Sequence, residues 1–138
     1  MSLSNYAEIK ILDHLCGKGT RDFTSPATLA VALLTAITGT ESPTDEPTVT
    51  EVANSNAYAR TAVTFSAAAL GSTTNSGAVT FPTASGGAWG TVTHIAVYDN
   101  LTYGAGELLF YGVLTASKTI QDGDTFEIKA SNLTVNLD

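Results

Sequence analysis

Cysteine, basic residues and tryptophan are all scarce in this 138-residue chain: one Cys, six Lys and Arg together, and one Trp. Each scarcity excludes something. Cys16 alone cannot form an intrachain disulfide, and one Cys with two distant histidines, His14 and His94, cannot supply a zinc site. Apart from Lys18 and Arg21, the basic residues (Lys10, Arg60, Lys118, Lys129) are scattered, and the net charge is −7. Phosphate binding needs clustered cations, so nucleic acid is excluded as a partner. No apolar stretch nears the roughly 18 residues of a membrane span, and the longest, Leu29 to Leu34, fits a buried strand. Ser2 to Lys10 lacks a basic leader before an apolar run. The chain is therefore expected to stay in the cytoplasm unless a larger particle carries it out.

Reaction chemistry is equally thin. No serine sits in a GxSxG elbow, and two histidines leave little for a triad. The glycines of SGGAWG precede a predicted strand without a following Lys-Ser or Lys-Thr, so they do not cradle phosphate. Asp122-Gly123-Asp124 lacks the closing Glu and flanking helices of a calcium loop and reads as a hairpin turn. No catalytic residue, cofactor or metal ligand is expected. A hydrolytic carboxylate pair stays open as an alternative, with no pair singled out.

What is present is β-rich. At 43% hydrophobic and only 14% charged, the composition fits a folded chain rich in small side chains. The stretch VTFPTASGGAWGTVTHIAVYD (79–99) joins two strands through a small-residue loop ending at Trp89. After it, Val92, His94, Ala96 and Tyr98 alternate with Thr93, Ile95 and Val97. Trp89, Phe81 and Tyr98 are the expected structural anchors, because large aromatics at a loop–sheet junction pack well. Further strands are predicted at 28–35, 58–65, 78–81, 107–114, 125–129 and 133–137, with turns at Asp99-Asn100, at Gly104 and Gly106, and at Asp122–Asp124.

One helix is predicted near the start, capped by Ser4 or Ser2, with Ile9, Leu12 and Cys16 on one stripe. Cys16 is expected to be a buried, inert thiol there. The whole of 1–138 reads as one domain, with 1–19 a helical segment and 39–56 a long acidic loop interrupted by Pro43 and Pro47. Its acids Glu41, Asp45, Glu46 and Glu51 are expected to be solvated. The fold class is mainly β: an antiparallel β-sandwich or jelly-roll-like domain with one short N-terminal helix.

The blocks SLSNYAEIKILDHLCGK, NAYARTAVTF, FPTASGGAWGTVTHIAVYD and LLFYGVLTASKTIQDGDTFEIKASNLTVNLD cover most of the chain. In this order they resemble a family of small virion proteins of tailed bacteriophages and prophages. The resemblance implies a non-enzymatic component of the virion, assembled in the host bacterial cytoplasm. Members are often labelled tail-fibre or minor tail proteins, and their character is also similar to capsid decoration (cement) proteins, which sit as trimers on the head lattice. A fibre usually needs repeats or heptads to gain length, and this chain has none. The expectation is therefore head decoration by a homotrimer bound to the major capsid protein. The alternative is a tail-tip or fibre-associated protein that contacts tail proteins and binds host glycan. Candidate contact residues are Tyr6, Ile9 and Leu12 on the helix, Pro43 and Pro47 on the acidic loop, and Tyr103.

Overall fold

The computed structural model describes residues 1–18, 25–39 and 46–137. In chain order the described residues form β1 (Ser2–Leu3), α1 (Asn5–Cys16), β2 (Leu29–Thr38), β3 (Thr48–Glu51), β4 (Thr61–Val63) and β5 (Ser72–Thr74), then β6 (Val79–Thr83), β7 (Gly90–Tyr98), β8 (Leu108–Ile120), β9 (Thr125–Ile128) and β10 (Thr134–Asn136). All pairings are antiparallel. The large sheet runs β1-β8-β7-β2-β3, with β4 also on β2, and two ribbons, β5–β10 and β6–β9, complete the set. The chain is thus mainly β with one short N-terminal helix, as the alternating segments predict.

β2 is apolar from Leu29 to Leu34, and the fold buries both faces of Ala30–Leu34. Val31 and Leu33 join the main core with Val79, Phe81, Trp89, Val92, Ile95, Val97, Phe126 and Ile128. The β6–β9 ribbon therefore forms a second layer over the sheet. Ala32 and Leu34 face the other way, beside Ala96 and Tyr98. Strict alternation along β7 would group Val92 with His94, Ala96 and Tyr98, but a bulge intervenes. Val92 pairs with Lys118 and His94 with Val113, so Leu114–Ser117 of β8 stand opposite Thr93 alone. The slip moves Val92 into the main core with Ile95 and Val97, since one skipped position flips every side chain beyond it.

Four other expectations change. β3 interrupts the predicted 39–56 loop, because Thr48–Glu51 pairs with β2 and Pro47 stands just before the strand, where its missing N–H is tolerated. The 58–65 strand shrinks to β4: Asn56 and Ala57 take positive φ (54° and 64°), which bends the approach. The predicted 78–81 strand runs on to Thr83 as β6, paired with β9, and β8 continues past Leu114 to Ile120.

Ser4 caps α1, accepting from the Ala7 N–H at 3.2 Å, while its own hydroxyl donates to the Leu108 carbonyl. Only Ala7 of the helix is buried. Ile9, Leu12, Leu15 and Cys16 are exposed, so the thiol is not a core group. The reason is geometric: the helix is fixed through its first turn, and its later turns carry the apolar stripe outward.

Candidate functional site

The β7–β8 connection, Asp99 to Glu107, is a loop pinned from within and from below. Asp99 Oδ1 accepts from the Glu107 N–H (2.7 Å), and Asn100 Oδ1 accepts from the Thr102 N–H (2.8 Å). Such side-chain bonds to nearby backbone are what give Asp and Asn their turn preference. Gly106 holds φ 79°, and a Cβ there would collide with Asn100 Cβ and Asp99 Oδ1. No other residue fits without moving the loop.

Arg60, just before β4, provides the fixing from below. Its NH1 donates to the carbonyls of Asn100 (3.1 Å) and Ala105 (2.8 Å), one on each arm of the loop. Its Nε and NH2 donate to Glu51 at the end of β3, at 3.0 and 2.9 Å. The two side chains are 2% and 9% exposed, a buried forked ion pair. The guanidinium also lies 3.8 Å from the centre of the Tyr98 ring. Burial works against its charge, but the hydrogen bonds and charge of Glu51 outweigh this, and its pKa is raised.

Tyr58 completes the cluster. Its hydroxyl donates to Glu51 Oε1 (2.8 Å) and accepts from the Leu33 N–H (3.0 Å). Burial pushes its pKa well above the usual phenol range, and Glu51 adds to the rise, while the Leu33 N–H opposes it. The Tyr58 ring stacks near Phe81, and Trp89 and Tyr103 approach it edge-on at 5.3 and 6.4 Å. Trp89 is buried, and its Nε1–H donates to the Asn56 carbonyl (2.8 Å). The result is a loop of fixed shape with Leu101 and Tyr103 exposed at its outer side, Tyr103 to 39%.

No group of three or more His, Cys, Asp or Glu that could hold a metal ion occurs among the described residues. Asp122, which the sequence places in a turn, accepts from the N–H groups of Gly86 and Gly87 (3.0 and 3.3 Å). The Gly-rich loop thus holds the chain's own carboxylate. No helix among the described residues is long and apolar enough to cross a membrane.

Residues 2–136 match the family described as Podophage GP4 fiber I protein gp80. The chain belongs to that family. Comparison with curated proteins finds no match. Membership in this fibre family makes the chain a structural virion component and favours the fibre alternative over head decoration. The predicted 39–56 loop, which carried the candidate contacts Pro43 and Pro47, also contains strand β3.

For this fibre-family member, the predicted residues divide by location. Trp89, Phe81 and Tyr98 are buried, and all three border the Tyr58–Arg60 cluster or its rings. Tyr6 is half-buried, with Lys10 Nζ 5.7 Å from its ring centre, while Ile9 and Leu12 are exposed some distance along the helix. Pro47 is buried and offers no contact surface in this chain, and Pro43 lies outside the described residues. The sequence reading missed Arg60 and Glu51. A signal existed: Arg60 is the last charged residue before a stretch, Thr61 to Tyr98, with no Asp, Glu, Lys or Arg. A lone cation amid apolar and small residues is one that needs a partner.

Proposed function

We propose that this chain is a homotrimeric structural module of a phage tail fibre whose Asp99–Gly106 loop contacts glycan on the host surface. The observation that carries the proposal is Arg60 NH1 bridging the carbonyls of Asn100 and Ala105, which fixes the loop that exposes Tyr103. Sugar rings stack on exposed aromatic faces, and a loop ordered before contact loses little entropy on binding. Asn100, Thr102 and Glu107 lie in the same exposed loop segment as Tyr103, giving hydroxyl groups polar partners. Tail and fibre proteins are its structural partners, and it turns over no substrate.

The test uses purified chain against surface polysaccharide from susceptible cells and against a glycan array. Binding is expected for the wild type, with a loss of about tenfold or more in Tyr103→Ala, the scale of one aromatic contact. Absence of binding to every glycan by folded wild-type protein would remove the host-contact role.

A further inference from the structure

The Asp99–Glu107 loop is closed at its base and again at its tip. At the base the Asp99 N–H donates to the Glu107 carbonyl (3.3 Å), beside the bond that Asp99 Oδ1 accepts from the Glu107 N–H. At the tip the Ala105 N–H donates to the Thr102 carbonyl (3.1 Å), so Tyr103 and Gly104 stand at the apex of a tight turn. From Tyr103 to Glu107 a fully extended chain would span at most about 14 Å, and the turn makes the real span shorter. Both ends of the loop are acidic, with Glu107 exposed and Asp99 half-buried. Glu107 joins the closure through its backbone, which leaves its carboxylate to solvent.

No cation in the loop balances these acids, since residues 99–107 contain neither Lys nor Arg. Arg60 lies beneath, but its side chain is 2% exposed and its Nε, NH1 and NH2 all donate to protein acceptors. It has nothing to offer a ligand. Lys118 pairs with Val92, which lies about 20 Å along β7 from Tyr98. A carboxylate, sulfate or phosphate on a sugar seated at Tyr103 would therefore shed water without gaining a cation. It would also sit near one Debye length, about 10 Å at 0.1 M salt, from the Glu107 charge. An uncharged sugar meets the opposite situation: its hydroxyls can donate to a carboxylate in charge-assisted hydrogen bonds. The exposed Asn100 and Thr102 add neutral polar groups beside the ring.

We propose that the loop takes glycan free of acidic groups and rejects glycan bearing carboxylate, sulfate or phosphate, with Glu107 as the residue that sets the discrimination. This inference rests on the host-glycan reading of the loop and adds the class of sugar. The selectivity comes from a like charge set against the wrong ligand, and the net charge of −7 extends the same field beyond the loop.

The experiment titrates wild type and Glu107→Lys against glycans arrayed in pairs, each pair sharing one backbone with and without a uronate, sialate, sulfate or phosphate group. Wild-type hits are expected among the acid-free members, with the acid-bearing partner of each hit weaker by about tenfold at low salt. Raising the salt should narrow that gap. Glu107→Lys should close it to about threefold or less, and circular dichroism of the variant should match wild type because the Glu107 side chain holds no part of the loop. Acid-bearing partners bound as tightly as acid-free ones by wild type would overturn the sugar class while leaving the host-glycan reading intact. A gap that neither salt nor Glu107→Lys moves would overturn the electrostatic origin and the role of Glu107. No hit of either kind would overturn this inference together with the glycan reading on which it rests.

Discussion

Arg60 and Glu51 meet through a forked ion pair in which Arg60 NH2 lies 2.9 Å from Glu51 Oε2, with both side chains almost wholly removed from solvent. The pair joins the end of β3 to the approach to β4, and through NH1 it reaches the Asp99–Gly106 loop. A buried pair is weak evidence for net stability, yet removing one partner is costly because the other is left charged and alone. Glu51→Gln should therefore destabilise the chain by about 3 kcal/mol in urea unfolding. It should also increase amide exchange across the loop. Unchanged stability would mean that Arg60 is held by the loop carbonyls and the Tyr98 ring without need of Glu51.

Alkaline pH attacks the same cluster. Burial raises the pKa of Tyr58, and of Tyr98 too, where Arg60 opposes the rise. A pKa higher in the folded state than in the unfolded one means that the neutral phenol is favoured by folding. Its stabilisation is complete below the unfolded value of about 10 and is lost as pH climbs beyond it. The melting temperature should hold steady from neutral pH to about 9.5 and then fall. Tyr58→Phe should flatten part of that alkaline decline, from a lower starting stability because the bond to Glu51 is gone. A decline of equal steepness in the variant would count against Tyr58 as its source.

Trp89→Ala should cost about 3–5 kcal/mol, the range for emptying a large aromatic site. The indole packs edge-on against Tyr58 and satisfies the Asn56 carbonyl, so the variant loses both a packing surface and a hydrogen bond. Equilibrium unfolding reads the change directly. A loss below about 1 kcal/mol would contradict the buried position.

Gly106→Ala separates loop shape from overall stability. Its Cβ would meet Asp99 and Asn100, and its φ of 79° is unfavourable for alanine. A cost of about 1–3 kcal/mol is expected. Glycan binding should fall with it, since the segment that presents Tyr103 would have to shift. Binding that survives intact would show that the loop does not need its native shape to make contact.

The mainly β fold and its helix could be read from local pattern, because alternation, turn residues and a capping serine act over a few residues. Ser4 as cap, β7 after Trp89 and the Asp122–Asp124 turn are of this kind. Non-local features were hidden. The bulge opposite Thr93 reverses the facing of Val92, and no periodicity in β7 announces an insertion in β8. Glu51 reads as one of four solvated acids until β3 brings it to Arg60, nine positions along the chain but across a bend that depends on positive φ at Asn56 and Ala57. Cys16 misled for the opposite reason: a helical apolar stripe signals burial only when something packs on it, and the described residues leave this one exposed.

Location in the particle tests the account most directly. Imaging intact virions labelled through an antibody or a gold-binding tag on this chain should place the signal on the tail fibres. Label distributed over the head lattice, with bare fibres, would contradict the fibre assignment.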